Sequence, residues 1–124
     1  MSYDISTEVE QGYIKLVVSG EQTLENNKKL VFQILEACAE NNVSKAIIDI
    51  REILGQPGVL ADYDLANIAA KEALGAIKKA ALLYRQETHA YTSFFETVIR
   101  NRGVNLLAFL DEDEAIEWLL GRPV

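Results

Sequence analysis

Three short apolar runs, KAIIDI (45–50), KKAALLY (78–84) and VNLLAFL (104–110), are separated by segments with the length and periodicity of helices. That alternation narrows the possible folds more than any other feature. A strand followed by a helix and then by another strand of the same sheet returns parallel to the first, because the helix carries the chain back across the sheet face. Apolar runs of this kind suit central strands covered on both sides. The three runs therefore predict parallel strands in an α/β domain.

Two further runs precede them. In YDISTEVEQGYIKLVVSG the β-branched content and the alternation of Tyr13, Lys15 and Val17 with Ile14, Leu16 and Val18 predict two strands about Gln11-Gly12, paired as an antiparallel hairpin. Thr23 then offers a helix N-cap. Leu30, Val31, Ile34, Leu35 and Cys38 recur at helical spacing, and the helix is expected over residues 24–41, with Asn41-Asn42 ending it.

After KAIIDI comes the charged pair Arg51-Glu52 and then Gly-Gln-Pro-Gly at 55–58. Pro57-Gly58 suits a type II turn, with Pro setting the first central φ and Gly taking the positive one. LADYDLANIAAKEAL is Ala-rich and helical, with Gly75 as its stop, and at its start Val59, Leu60 and Tyr63 either pack inwards, the expected arrangement, or present an apolar patch. AYTSFFETVIRNRG predicts a third helix with Tyr91, Phe94, Phe95, Val98 and Ile99 on one stripe and Gly103 closing it. Asp111-Glu112-Asp113-Glu114 opens a fourth helix, where Asp-x-x-Glu reads as a relative of the capping box and not as a metal site. Trp118 on that helix is either core, the expected place given its neighbours Ile116 and Leu119, or a dimer contact. The expected whole is one α/β domain over residues 1–124: a five-stranded mixed sheet, an N-terminal antiparallel hairpin plus parallel strands, with four helices.

Composition excludes several functions. Folding at 124 residues removes roughly two-thirds of the unfolded chain's surface from water, enough for a core without covalent staples. Twelve Lys and Arg against nineteen Asp and Glu give a net charge of −7, and the basic residues are scattered, so no nucleic-acid partner is expected. The single Cys38 cannot form an internal disulfide or a Cys-based zinc site, and it falls on an apolar stripe as a small core residue. MSYDISTEVE has neither a basic start nor an apolar run, and no stretch reaches the roughly 18 to 20 apolar residues of a membrane span. A cytoplasmic protein with no transmembrane segment is expected.

Chemistry has few footholds. Ligands of open α/β sheets favour the carboxyl ends of strands, a rim that should carry Asp49 or Arg51 after the third strand, Arg85 and Glu87 after the fourth, the lone His89, and Asp111 after the fifth. There is no Gly-x-Ser-x-Gly elbow, no phosphate loop ending in Lys-Ser or Lys-Thr, and no Gly-x-Gly-x-x-Gly after a strand. No catalytic residue, metal ligand or cofactor is assigned.

The element order, the AIIDIREI strand leading into loop and helix, and the ending FFETVIRNRGVNLLAFLDEDEAIEWL resemble the STAS superfamily, in particular its SpoIIAA-like branch of small bacterial proteins, often grouped with the lipid-binding CRAL-TRIO domains. The resemblance covers nearly the whole chain. It implies a regulatory module, in which the anti-sigma-factor antagonists of the superfamily switch partners when a Ser at the start of the helix after the third strand is phosphorylated. Here the matching region reads Gly58-Val59-Leu60-Ala61-Asp62, and no Ser or Thr occurs between Ser44 and Thr88, so the hydroxyl such a switch needs is missing.

Three readings follow. The first is a non-catalytic interaction module, homodimeric, meeting a protein partner through Pro57, Gly58, Leu60 and Tyr63. The second is a binder or carrier of an apolar small molecule or lipid, which requires an unfilled pocket beside Tyr63, Phe94 and Phe95. The third is a small enzyme using the polar rim around Arg51, Arg85 and His89.

Overall fold

The computed structural model describes residues 2–55, 59–73 and 75–121, with the backbone alone over 59–62. Along the chain run β1 (Asp4–Val9), β2 (Ile14–Glu21), α1 (Leu24–Glu40), β3 (Lys45–Leu54), α2 (Val59–Ala73), β4 (Lys79–Leu83), a 3-10 turn (Gln86–Thr88), α3 (His89–Asn101), β5 (Leu106–Phe109) and α4 (Glu112–Leu120). The strands form one sheet in the order β1-β2-β3-β4-β5, antiparallel for the first pair and parallel for the rest. The expected five-stranded mixed sheet with four helices is the fold observed.

Sequential strand order has a consequence for the helices. Crossovers between parallel strands are nearly always right-handed. Three that step in the same direction along the sheet therefore bring their helices to the same face. Accordingly α1, α2 and α3 share one core with Ile14, Leu16 and Val18 of β2, Ala46 and Ile48 of β3, and Leu82 of β4. The other face of the sheet is covered by α4, where Ala115 and Leu119 meet Tyr13, Ile47, Ala81 and Leu83.

Local chemistry sets the ends of the elements. The Thr23 side chain accepts from the Asn26 amide at 3.0 Å and caps α1, and Asn42 takes a positive φ just past its end. The Asp111 carboxylate accepts from the Glu114 amide at 3.1 Å, so the acidic run is the N-cap and first turn of α4, its negative charges at the positive end of the helix dipole. At the hairpin, Gly12 has φ +91 with the Leu120 side chain against it, a position unfavourable to any other residue.

Three expectations need correction. Asp49 and Arg51 lie within β3 and not on a rim after it, because pairing with β2 continues to Glu21↔Leu54 through a bulge between Val17 and Ser19. That bulge gives β3 one extra residue and reverses its alternation, so Ile53 turns to the same face as Ile48. On α3, Val98 and Ile99 are buried with Thr92, while Tyr91, Phe94 and Phe95 are only half-buried at the flanks of the stripe. Trp118 is likewise half-buried, lying against Phe109 with the Lys79 ammonium 5.0 Å from its ring centre, while Leu119 fills the core position. Pro57, Gly58 and the side chains of Val59 and Leu60 lie outside the described residues.

Candidate functional site

Among the described side chains of α2 the buried ones are small, Ala66, Ala69, Ala70 and Ala73. A helix whose inner stripe is alanine lets its backbone approach the sheet but supplies few atoms to fill the space between the bulkier residues around it. The result is a cavity of about 150 Å³ between the sheet and α1 to α3, walled by Leu30, Ile34, Ile53, Ala69, Phe95 and Ile99 among others.

The cavity sits one residue away from its expected place. Phe95 lines it, whereas Tyr63 and Phe94 do not. Those two rings meet edge to face, 5.4 Å between centres, and join α2 to α3. The Arg102 guanidinium lies 5.7 Å from the Tyr63 ring centre, and its Nε donates to the Asn67 side-chain oxygen, so one cation holds both helices.

Polar groups of the cavity cluster at the carboxyl ends of β2, β3 and β4. Gln22 donates through Nε2 to the Gly55 carbonyl at 3.2 Å and accepts from Asn27 Nδ2 at 3.2 Å, and the buried Asn27 accepts from the Tyr3 hydroxyl. Burial pushes that hydroxyl's pKa up to about 12, so it stays a donor. Thr88 Oγ1 donates to the Arg85 carbonyl at 3.0 Å, and Arg85 Nη2 donates to the Ile53 carbonyl at 3.1 Å. Gln22, Asn27 and Thr92 are not among the residues the sequence singles out as site residues. The available signal is Asn26-Asn27 in the first turns of α1, residue types of modest helix propensity that are buried here to bind the end of β2.

Arg51, Arg85 and His89 are held by separate partners. Arg51 lies on the α4 face, clamped to Asp49 and 3.6 Å from Glu112. Burial pushes the Asp49 carboxyl up, but hydrogen bonds from Arg51 and the charges of Arg51 and Lys15 outweigh it and hold the group below the usual carboxylate range. Lys15 reaches Glu112 at 2.9 Å, which ties the start of α4 to β2. His89, exposed at the start of α3, has Nδ1 2.9 Å from the Tyr84 hydroxyl. Burial, then the charge of Glu96, pushes that phenol up. Among the described residues the His89 ring has no carboxylate partner, and no group of three His, Cys, Asp or Glu could hold a metal ion. Cys38 is buried, and burial raises its thiol pKa.

No protein-family model matches the sequence, and no curated protein matches it. Solved structures do. An uncharacterised protein of the DUF3478 family with a SpoIIAA-like fold, from Shewanella loihica PV-4, is 22% identical at a TM-score of 0.62, over 95% of this chain and 93% of that one. The chain has the SpoIIAA-like fold. An anti-sigma factor antagonist from Mycobacterium paratuberculosis is 13% identical, at a TM-score of 0.66, over 95% and 94% of the two chains. The anti-sigma factor antagonist SpoIIAA in its unphosphorylated form is 16% identical, at 0.57, over 98% and 99%. At such identities the SpoIIAA-like likeness establishes architecture, and function has to come from the site. Among the described residues no helix is long and apolar enough to cross a membrane.

Proposed function

We propose that this chain is a non-catalytic regulatory module that binds an apolar small molecule in the cavity beneath α1, α2 and α3. The cavity carries this reading: a space of about 150 Å³ with a largely apolar wall suits an apolar guest. The missing hydroxyl in the segment that opens α2 argues in the same direction, since a module without a phosphorylatable Ser there needs another input.

A protein partner is the second reading, supported by the fold shared with anti-sigma factor antagonists and by Leu54 and Tyr63, 60% and 41% exposed on either side of the β3–α2 connection. A homodimer belongs to both readings. Native mass spectrometry of protein purified from its own host tests them together. The expected result is a non-covalent apolar adduct released on denaturation. A ligand-free particle that also fails to take up small apolar probes overturns the first reading, and the mass per particle decides the dimer.

A further inference from the structure

The cavity is uncharged and has two unlike ends. Among the described residues its wall holds no Asp, Glu, Lys, Arg or His. Gln22, Gly55, Thr88 and Thr92 line it near the carboxyl ends of β2, β3 and β4, whereas Ala73, Ile77, Val104 and Leu106 line it towards the amino ends of β4 and β5. Along β3 the wall follows Ile48, Ile50, Ile53 and Gly55, a stretch of roughly 20 Å at the rise of an extended strand. A space of about 150 Å³ drawn out over that length is narrow and suits a chain better than a compact ring system.

Most of the polar end is satisfied from within. Gln22 is bonded to Gly55 and Asn27, and Thr88 Oγ1 gives its proton to the Arg85 carbonyl at 3.0 Å. Thr92 is the exception. It is 5% exposed, and the one contact its hydroxyl makes among the described residues is with Thr88 Oγ1 at 3.5 Å, long for a bond between hydroxyls. A buried hydroxyl so weakly engaged keeps the capacity both to donate and to accept.

We propose that the ligand is an uncharged amphiphile, a single hydrocarbon chain bearing a hydroxyl or a carbonyl, with that group at Thr92 and the chain running towards Ile77 and Leu106. This rests on the reading of the cavity as a ligand site. The uncharged wall decides the head. A carboxylate, phosphate or ammonium brought to the buried Thr92 gives up its water, and no opposite charge in the wall replaces it, whereas a hydroxyl or carbonyl loses far less and gains a hydrogen bond. The net charge of −7 disfavours an anion further. The change from polar to apolar wall sets the orientation, because the reverse pose would leave the head among aliphatic side chains.

Titrations of the full chain at pH 7 with hexan-1-ol, hexanoate and hexylammonium, followed by amide chemical shifts, test the inference with three heads on one chain. Hexan-1-ol is expected to bind about ten-fold tighter or more than either ion. From butan-1-ol to octan-1-ol the affinity should rise about three- to four-fold per methylene, and a flat series overturns the chain. Thr92→Val should weaken hexan-1-ol about five-fold, while Thr92→Ser, which keeps a hydroxyl, should bind as the unaltered protein does. Equal effects of the two substitutions overturn Thr92 as the contact. If neither variant folds, the three heads decide alone. An ion that binds as tightly as the alcohol overturns the uncharged head and leaves the cavity as an apolar site. Binding of none of the three overturns the cavity reading and this inference with it.

Discussion

Arg51 grips Asp49 side-on from two residues further along the same strand, Nε to Oδ1 at 3.0 Å and Nη2 to Oδ2 at 2.8 Å. Residues i and i+2 of a strand share a face, so the pair needs no tertiary contact to meet, yet the Asp49 residue is only 4% exposed. Arg51→Ala leaves a buried carboxylate without its main partner and should cost about 2 kcal/mol, less than a fully buried pair because the arginine is partly solvated. The folded-state pKa of Asp49 lies below its ordinary value. Its contribution is therefore present above about pH 4 and lost as pH falls through the folded value. Urea denaturation at pH 7 and pH 3 should show the substitution to be more damaging at the first than at the second. Equal losses at both would remove the electrostatic explanation.

Tyr3 and Asn27 give the opposite pH dependence. Burial raises the Tyr3 hydroxyl to about 12, so its stabilisation is complete below about pH 10 and fades as pH rises towards the folded value. Tyr3→Phe strands the side-chain oxygen of the buried Asn27 and should cost about 1–2 kcal/mol at pH 7. It should also flatten the fall in stability between about pH 10 and 12, which thermal melts across that range would read. A variant with the same alkaline slope as the unaltered protein would assign that slope to other groups.

Filling the cavity separates stability from binding. Ala69→Leu places three more carbons in the space and should raise the unfolding free energy by about 1 kcal/mol. The same change should weaken hexan-1-ol binding by roughly ten-fold or more, since the guest and the new side chain compete for one volume. A less stable variant that still binds hexan-1-ol would mean the space is not where the ligand goes.

The Arg102 clasp predicts a local effect. Arg102→Ala removes the contact with the Tyr63 ring and the hydrogen bond to Asn67, with a global cost of about 1 kcal/mol. Amide exchange should quicken along α2 far more than in β2 and β3, because α2 meets its neighbours mainly through alanines. Uniform acceleration would show that α2 opens only with the whole domain.

Whatever depends on neighbours in the chain was legible before the structure. Element order followed from periodicity, the ends of α1 and α4 from Thr23 and Asp111, and the parallel arrangement from the strand-helix-strand alternation, because each is set within one turn, one strand or one crossover. Even the placement of Cys38 in the core needed only the stripe it falls on. Where pairing between distant segments intervened, sequence reasoning fell short. The bulge opposite Val17 and Ser19 carried β3 on to Leu54 and took Asp49 and Arg51 off the rim, which no pattern within β3 announces. The cavity arose in the same way. The alanines of α2 are visible as good helix formers, but whether neighbours fill the space they leave depends on how far α1 and α3 stand from the sheet. Local propensity and hydrophobic period are properties of the chain, whereas voids, unpaired donors and the partners of a buried charge belong to the packed whole, and only tertiary structure could show the apolar space beneath α1, α2 and α3.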